Sequence, residues 1–388
     1  MTDSALAWRD FDPAAFLRDY WQRKPLLIRQ AFTQWENPLE PDELAGLACE
    51  EGADARLILH DPGSNAWQLE HGPLPEERFA SLPASHWTLL VQAVDHWVPE
   101  VAALIAPFRF LPDWRIDDVM VSYAADQGGV GPHVDQYDVF LVQGLGRRRW
   151  QVGPHYPADA PLRDDVPLRQ LARFQVIEEW MLEPGDILYL PPGYGHHGIA
   201  EGNDCMTYSV GFRAPSRSEL VAHWAGYALS ELTEDDRYQD PTRVPVSSPS
   251  LIDQSAADHA RQMMLSTLSD PAQFYRWFGT YVTSPRHPEL LDEPEPIDAG
   301  TLIELAQKAG LERTPGSRLA RFKTADGILL FADGESHDCP AALAPLAQWL
   351  ADEHSFPPEE LAPWLQQPAA VELLCRLCNQ AAIRLVED

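Results

Sequence analysis

The sequence predicts a mainly β fold that contains a barrel or sandwich and is extended by helices towards the C-terminus. Two observations favour this fold class. Between about residue 100 and residue 213, short β-rich runs alternate with Gly and Pro, and beyond Ala214 the apolar residues recur at helical spacing. The β-rich runs are Val119–Tyr123, Val139–Val142, Trp150–Val152, Asp186–Leu190 and Met206–Phe212. Many short strands with such punctuation are typical of antiparallel barrels and sandwiches.

The first hundred residues mix helical and extended patterns. Pro13–Trp21 spaces its large apolar groups for one face of a helix, and Pro25–Arg29 is a short extended run. We therefore expect a lead-in segment that covers one end of the sheet.

The part of the chain beyond Ala214 is predicted to be helical at first. Helices are expected at Glu219–Leu229 and Ser255–Leu268, and a Pro-rich, acidic stretch from Ser284 to Pro296 is the expected linker. Nearer the C-terminus, the dipeptide Asp326-Gly327 stands between two apolar runs, which is a strong signal for a β-hairpin.

The chain of 388 residues is strongly acidic. It carries 29 Lys and Arg against 59 Asp and Glu, a formal net charge of -30. This charge argues against binding to nucleic-acid phosphates, which depends on clustered Lys and Arg, and it fits a basic protein partner. A simpler interpretation is that the acidity only keeps the protein in solution.

The sequence also predicts where the protein works. We find no N-terminal signal segment and no apolar stretch long enough to span a bilayer, and the 5 scattered cysteines do not form a disulfide pattern. We therefore expect a soluble, cytoplasmic protein with no membrane partner.

His133 and Asp135 are the most informative pair of residues. Successive strand residues point to opposite faces, so these two share a face, and the same alternation extends that face through Tyr137 to Val139. An imidazole and a carboxylate on one strand, completed by a later histidine, match the facial triad of non-haem iron(II) oxygenases. The alternative is a core histidine paired with an aspartate.

The third ligand of such a triad is expected from His196 or His197. Both follow the turn Pro191–Gly195, which leaves the phase of the next extended segment open. Spacing alone therefore does not choose between them.

Arg148 and Ser122 are the predicted partners of an anion. The turn Gly144–Gly146 should return the chain as the partner strand of Val139–Val142, and if Trp150 faces the core, period two places Arg148 inward as well. A buried guanidinium needs an anion, and its fork matches a carboxylate. Ser122 offers a second donor. The alternative for Arg148 is a structural salt bridge to a carboxylate inside the barrel.

Four segments of the chain together resemble the JmjC-type ribosomal oxygenases. They are Gly131–Phe140, Gly146–Trp150, Pro191–His196 and Tyr208–Pro215. The resemblance implies that His133, Asp135 and His196 bind iron(II). It also implies that Arg148 and Ser122 bind 2-oxoglutarate, with O2 as the second cosubstrate.

The resemblance implies an architecture as well. It comprises a double-stranded β-helix of the jelly-roll or cupin type over residues 1–215, a helical dimerisation region over 216–285, and a small winged-helix-like domain over 286–388. The implied activity is hydroxylation of an arginine side chain on a basic large-subunit ribosomal protein by a homodimer. Because the C-terminal region is acidic, we expect that it docks protein and does not bind nucleic acid directly.

An arginine substrate would need a carboxylate and an aromatic ring beside the iron. Asp118 and Tyr137 lie on the predicted inner faces and are the candidates for these roles.

Three alternatives stay open. The family has a glutamate where this chain has His197, so His197 remains the rival third ligand. A metal-dependent cupin enzyme that needs no 2-oxoglutarate is a second possibility, although an inward Arg148 argues against it. The third is a non-enzymatic ribosome-assembly protein that only binds its ribosomal partner.

Overall fold

The computed structural model describes residues 6–233, 236–245, 248–286, 294 and 296–386. The chain divides into two compact units, Met1–Ala214 and Pro215–Asp388, and each has its own hydrophobic core. Within the described ranges, no helix combines the length and the apolar character that crossing a membrane requires.

The N-terminal unit is mainly β. Its strands are β1 Leu26–Ile28, β2 Ala55–Asp61, β3 Ala66–His71, β4 Trp87–Val91, β5 Ile116–Ala124, β6 His133–Val134, β7 Asp138–Leu145, β8 Arg148–His155, β9 Glu178–Leu182, β10 Ile187–Leu190, β11 Tyr194–Ala200 and β12 Cys205–Phe212. Its α-helices are short: α1 Pro13–Asp19, α2 Pro41–Leu47, α3 Glu76–Ala80 and α4 Pro99–Ala102. Segments of 3-10 helix cover Val94–His96, Ala103–Phe108 and Asp113–Arg115.

These strands form two antiparallel sheets. The larger sheet has the order β1-β10-β7-β12-β5-β4-β2-β3, and the smaller has the order β6-β11-β8-β9. Val139 and Leu141 from the larger sheet pack with Trp150 and Val152 from the smaller one in a single buried cluster. The sheets therefore face each other across an apolar interior, which is the predicted double-stranded β-helix.

Two expectations about strand connections are wrong. β6 ends at Val134 and β7 begins at Asp138 in the other sheet, so His133 and Val139 do not belong to one continuous strand. β8 pairs with β9 and β11 instead of β7. The reason is that β7 already has β10 and β12 on its two sides, which leaves it no hydrogen-bonding edge for β8.

The lead-in extends the larger sheet at both edges. β1 pairs with β10 at one edge, and β4 pairs with β5 towards the other, followed by β2 and β3. Buried Asp138 connects the lead-in to the sheet. It accepts hydrogen bonds from the Tyr189 hydroxyl at 2.6 Å and from Gln22 Nε2 at 2.9 Å, and it pairs with Arg115 at 3.1 Å.

The C-terminal unit begins with helices and ends with two small sheets. Its elements are α5 Arg217–Ser230, α6 Gln254–Leu268, α7 Pro271–Thr283, α8 Ala299–Ala309, β13 Leu311–Arg313, β14 Leu319–Lys323, β15 Gly327–Ala332, β16 Glu335–Pro340, α9 Ala344–Asp352, β17 Ser355–Phe356, α10 Pro358–Leu361, α11 Pro368–Asn379 and β18 Ile383–Leu385. The sheets have the orders β17-β13-β18 and β14-β15-β16.

The helices α5 and α6 match the two predicted ones, and the predicted hairpin is β14–β15. The sequence did not predict α7, which packs on β14, β15 and β16. There, Gly279 leaves the space that the ring of Phe331 fills. The predicted linker Ser284–Pro296 lies largely outside the described residues.

Candidate active site

His133, Asp135 and His196 meet in the interior of the N-terminal unit. One potential ligand atom from each residue lies within 4.8 Å of the others. Oδ2 of Asp135 is 3.4 Å from Nε2 of His196 and 3.9 Å from Nε2 of His133. The His196 side chain is 3% exposed, whereas those of His133 and Asp135 are 24% and 22% exposed, so the group is open on one side.

Backbone carbonyl groups orient both imidazoles. Nδ1 of His133 lies 3.0 Å from the carbonyl oxygen of Gly131, and Nδ1 of His196 lies 3.0 Å from that of Tyr194. Because a carbonyl oxygen only accepts hydrogen bonds, Nδ1 carries the proton in each ring. Nε2 is then left with a free lone pair, as metal-binding histidines require.

The electrostatics of the group suit a divalent cation. Burial and the neighbouring His196 lower the pKa of His133. Burial alone would raise the pKa of Asp135, but the nearby imidazoles of His196 and His133 and a hydrogen bond from Tyr137 hold it below its usual value. The lowered pKa of His133 favours its neutral imidazole and the lowered pKa of Asp135 favours its ionised carboxylate, the forms that bind metals.

His197 does not join this group. It follows His196 on β11, so its side chain points to the opposite face of the strand, and its partner on β8 is Gln151. Burial lowers the pKa of His197 to about 4. The structure thus places His196, the histidine that the family resemblance implied, with His133 and Asp135. Sequence spacing could not choose between His196 and His197, because the β8–β11 ladder shifts register between Tyr194 and His196.

Arg148 points into the interior and is 5% exposed. From the smaller sheet it reaches the larger one, where its Nη1 lies 3.3 Å from Oγ of Ser122 and its Nε lies 3.4 Å from Sγ of Cys205. Nη2 is buried and has no hydrogen-bond partner among the described residues. Among the described residues the hydrogen-bond partners of Arg148 are a thiol and a hydroxyl and none is a carboxylate, so the alternative of a structural salt bridge is not observed there.

Trp150 lies beside both the His133, Asp135 and His196 triad and the guanidinium of Arg148. Its ring is 5.8 Å from the ring of His196 and 5.7 Å from the guanidinium of Arg148. Gly198 is its direct partner across the β8–β11 ladder, and a Cβ at Gly198 would come within 2.7 Å of the indole. Trp150 thus forms part of the wall between the triad and Arg148. The sequence had indicated only that Trp150 faces the core, with no role at the site.

Asp118 and Tyr137 occupy different environments. Asp118 is 7% exposed and accepts hydrogen bonds from Gln92 Nε2 at 2.5 Å and from the Ala93 amide at 2.9 Å. Burial, followed by the charge of Asp95, raises its pKa to about 6. Tyr137 is 38% exposed. Burial of its hydroxyl and the nearby carboxylates, including those of Asp135 and Asp118, raise its pKa, so it lies near both the triad and Asp118.

Cys205 and Gln143, which lie around Arg148, were not predicted from the sequence. Both are fully buried, and Gln143 donates to the sulfur of Cys205. The one available signal was Gln143 itself, a polar residue that directly follows the apolar run Val139–Val142.

Known proteins share these features. Residues 103–220 match the JmjC domain family, and residues 266–384 match the ROXA-like winged helix family. The chain is 41% identical over 378 residues to the ribosomal protein uL16 3-hydroxylase of Escherichia coli, with 96% of each chain covered. It is 34% identical over 335 residues to a probable ribosomal oxygenase of Haemophilus influenzae, covering 83% of this chain and 81% of that protein.

Solved structures are also similar to this chain along nearly its whole length. A crystal structure of E. coli YcfD superposes with a TM-score of 0.87 at 39% identity, covering 96% of this chain and 98% of that one. A structure of the ribosomal oxygenase YcfD in complex with cobalt and 2-oxoglutarate has a TM-score of 0.85 at 38% identity and covers 98% and 99%. Similarity of this extent includes both the β-helix and the winged helix. The chain belongs to the JmjC-domain ribosomal oxygenases.

Proposed function

We propose that this chain is an iron(II)- and 2-oxoglutarate-dependent dioxygenase that hydroxylates an arginine side chain of a basic large-subunit ribosomal protein. One observation carries the proposal. Two imidazoles and a carboxylate converge near a buried arginine whose hydrogen-bond partners, among the described residues, are a hydroxyl and a thiol. A metal-chelating 2-oxo acid with a second carboxylate satisfies both groups at once.

His133, Asp135 and His196 are the proposed metal ligands. Three protein ligands of this kind leave coordination positions open for substrate molecules. Bound iron(II) would supply the oxygen chemistry, in which 2-oxoglutarate and O2 yield succinate and carbon dioxide while one oxygen atom enters a C–H bond of the substrate. The protein's own residues orient the reactants and exclude water.

Arg148 and Ser122 are the proposed partners of the distal carboxylate of 2-oxoglutarate. Arg148 provides a buried positive charge and an unpartnered Nη2, and Ser122 provides a hydroxyl next to Nη1. A charged, bidentate pair in a buried site is among the strongest hydrogen-bonded contacts in proteins. A cupin enzyme that needs no 2-oxoglutarate would have no use for this buried charge.

Asp118 and Tyr137 are the proposed contacts of the arginine substrate. Burial and the charge of Asp95 raise the pKa of Asp118, whose hydrogen-bond partners, Gln92 and the Ala93 amide, supply no counter-charge. A guanidinium supplies that charge, and the exposed ring of Tyr137 offers a surface for stacking. The name of the E. coli relative, which acts on uL16, supports a ribosomal protein as the substrate, and so does the net charge of -30.

We also propose a homodimer formed through the helical region 216–285. Val221 and Leu229 on α5, Met264 on α6 and Ile252 before it are 61% to 83% exposed, and an interface between two copies of the chain would bury such apolar side chains. Light scattering after size exclusion should show a dimer. Met264→Glu should weaken it, and Leu305→Glu on α8 should not.

We also propose roles for the two domains and a location for the protein, each chosen to suit a ribosomal protein as the substrate. Residues 1–215 form the proposed catalytic domain, and the winged helix at 286–388 is proposed to dock protein and not nucleic acid. A cytoplasmic location fits an enzyme whose substrate is a ribosomal protein.

The direct test incubates the full chain with iron(II), 2-oxoglutarate and bacterial ribosomal proteins under air. Mass spectrometry should find one ribosomal protein that has gained a single oxygen on an arginine, with succinate formed in equal amount. Omitting 2-oxoglutarate, or using His133→Ala, should remove both signals. If neither signal appears with the intact chain, the proposal is wrong, and binding without modification would favour the assembly-protein alternative.

A further inference from the structure

Behind Arg148 lies a group of buried polar side chains with no assigned role. Sγ of Cys205 accepts a hydrogen bond from Nε of Arg148 at 3.4 Å and another from Nε2 of Gln143 at 3.5 Å. Gln143 is itself fixed in place, because its Nε2 also donates to the carbonyl of Leu145 at 2.7 Å and its Oε1 accepts from Oγ1 of Thr207 at 3.2 Å. Cys205, Gln143 and Thr207 are at most 1% exposed, so water does not replace these bonds.

The strand arrangement brings this group together. β12 begins at Cys205, and the β7–β12 ladder shifts register just before Thr207, which lies opposite Gln143. Cys205 packs against the small side chains of Ala124 and Ala200. These neighbours leave room for the sulfur and the guanidinium side by side.

Some N–H groups of the Arg148 guanidinium have hydrogen-bond partners, and others are left for a ligand. Its Nε is turned towards sulfur and Nη1 lies 3.3 Å from Oγ of Ser122, whereas Nη2 has no hydrogen-bond partner among the residues that the structure describes. A carboxylate binds best through two N–H groups of a guanidinium. Nη2 and the second hydrogen of Nη1 are the pair left for a ligand.

We propose that Cys205, oriented by Gln143, is a positioning residue for 2-oxoglutarate. The inference rests on the proposed function. By occupying Nε with a neutral acceptor, the thiol directs the terminal nitrogens of Arg148 towards the distal carboxylate of the cosubstrate. Neutrality matters, because a resident carboxylate in this place would satisfy the guanidinium and compete with the ligand.

The test compares two 2-oxo acids on the full chain. 2-Oxoglutarate carries the distal carboxylate and 2-oxobutyrate lacks it, so only the first depends on the orientation of Arg148. Each is titrated by calorimetry, without oxygen, into the chain loaded with cobalt(II). The KM for 2-oxoglutarate and kcat are measured separately with iron(II) under air.

Cys205→Ala leaves two buried donors without their acceptor. We expect the affinity for 2-oxoglutarate to fall about 5- to 50-fold, with a matching rise in KM, a kcat within about twofold of the wild type, and no change for 2-oxobutyrate. Cys205→Ser keeps an acceptor and should restore most of the affinity. Cys205→Asp adds the competing charge and should weaken 2-oxoglutarate more than Cys205→Ala does. Cys339→Ala, which removes a buried thiol of the C-terminal unit, is the matched control.

Equal losses for both 2-oxo acids would show a general disturbance of the site and would overturn the proposal. Unchanged affinity for 2-oxoglutarate in a folded Cys205→Ala chain would overturn it as well. If Cys205→Ala does not fold, Gln143→Met makes the same comparison by removing the donor that orients the thiol. A wild-type chain that does not bind 2-oxoglutarate would refute the proposed function instead.

Discussion

His133 and His196 are direct partners across the β6–β11 ladder, and their ring centroids lie 4.2 Å apart. Each ring donates from Nδ1 to the carbonyl oxygen two residues earlier in its own segment, at 3.0 Å in both cases. The same local geometry at both histidines directs two Nε2 lone pairs towards Asp135. Because backbone carbonyl groups orient both rings, the site is preorganised for a metal.

Removing the carboxylate should remove the metal. Asp135→Ala should lower the affinity for cobalt(II) or iron(II) by at least about a hundredfold, since even outer partners of metal ligands cost about 10- to 100-fold when they are lost. His197→Ala is the matched control, because His197 neighbours His196 on β11 but points to the opposite face. Metal content after dialysis, measured by mass spectrometry, checks both variants. Metal loss in His197→Ala and retention in Asp135→Ala would reverse the assignment.

Arg148→Met should weaken 2-oxoglutarate binding and, without ligand, stabilise the fold. Loss of one member of a buried charge pair costs at least about 2 kcal/mol of binding, or about thirtyfold in affinity. In the free chain, Met removes a buried charge that has no ionic partner among the described side chains, so the free energy of unfolding should rise by roughly 1 to 4 kcal/mol.

Calorimetry with 2-oxoglutarate and urea unfolding of the ligand-free chain check these two effects. Arg149→Met is the control, because Arg149 is the next residue and pairs with Glu201 at 2.7 Å on the outer side of β8. Unchanged 2-oxoglutarate affinity in Arg148→Met would contradict the assignment of its guanidinium.

Asp118 should make stability depend on pH. Its carboxyl group keeps its proton up to about pH 6 in the folded chain, whereas the ordinary pKa is 3.8. The folded state therefore binds more protons in this interval, and the stability that this proton confers is present below about pH 4 and is lost as the pH rises through 6. Relative to Asp118→Asn, the free energy of unfolding of the wild-type chain should fall by roughly 3 kcal/mol between about pH 4 and about pH 6.

Urea unfolding of the metal-free chain across this pH range measures the difference. Asn retains an oxygen that accepts from Gln92 and Ala93, so the variant keeps the local hydrogen bonds. Parallel stability curves for the two chains would mean that the pKa of Asp118 is the same in the folded and unfolded states.

Gly198 should not tolerate a side chain. A Cβ there would meet the indole of Trp150 at 2.7 Å, and Trp150 is buried and lies beside His196. Gly198→Ala should therefore cost about 1 to 3 kcal/mol of stability through overpacking, and it should also weaken metal binding. Gly226→Ala on α5 is the control, since its Cβ would meet nothing within 4 Å and should be neutral or stabilising by up to about 1 kcal/mol. Thermal unfolding of both variants measures their stability, and a Gly198→Ala chain as stable as Gly226→Ala would contradict the prediction.

The strand runs that the sequence predicted all lie within or at the ends of observed strands, because the alternation that marks a strand is a local property. The connections between strands were predicted less well. His133 and Val139 turned out to lie in different sheets, and β8 pairs with β9 and β11 instead of β7. Pairing depends on which edges are still free in the finished sheet, and local alternation carries no such information.

By itself, the sequence determined the fold class, the shared orientation of His133 and Asp135, and the inward direction of Arg148. The fold class and the direction of Arg148 follow from residue type and from a repeat of two along a strand. His133 and Asp135 converge as predicted, although β6 ends at Val134. Only the tertiary structure selected His196 over His197, because a register shift after the turn sets the phase of β11. It alone also placed Cys205 beside Arg148, and it confirmed that Ser122 lies there, since Arg148 comes from the smaller sheet and both partners come from the larger one.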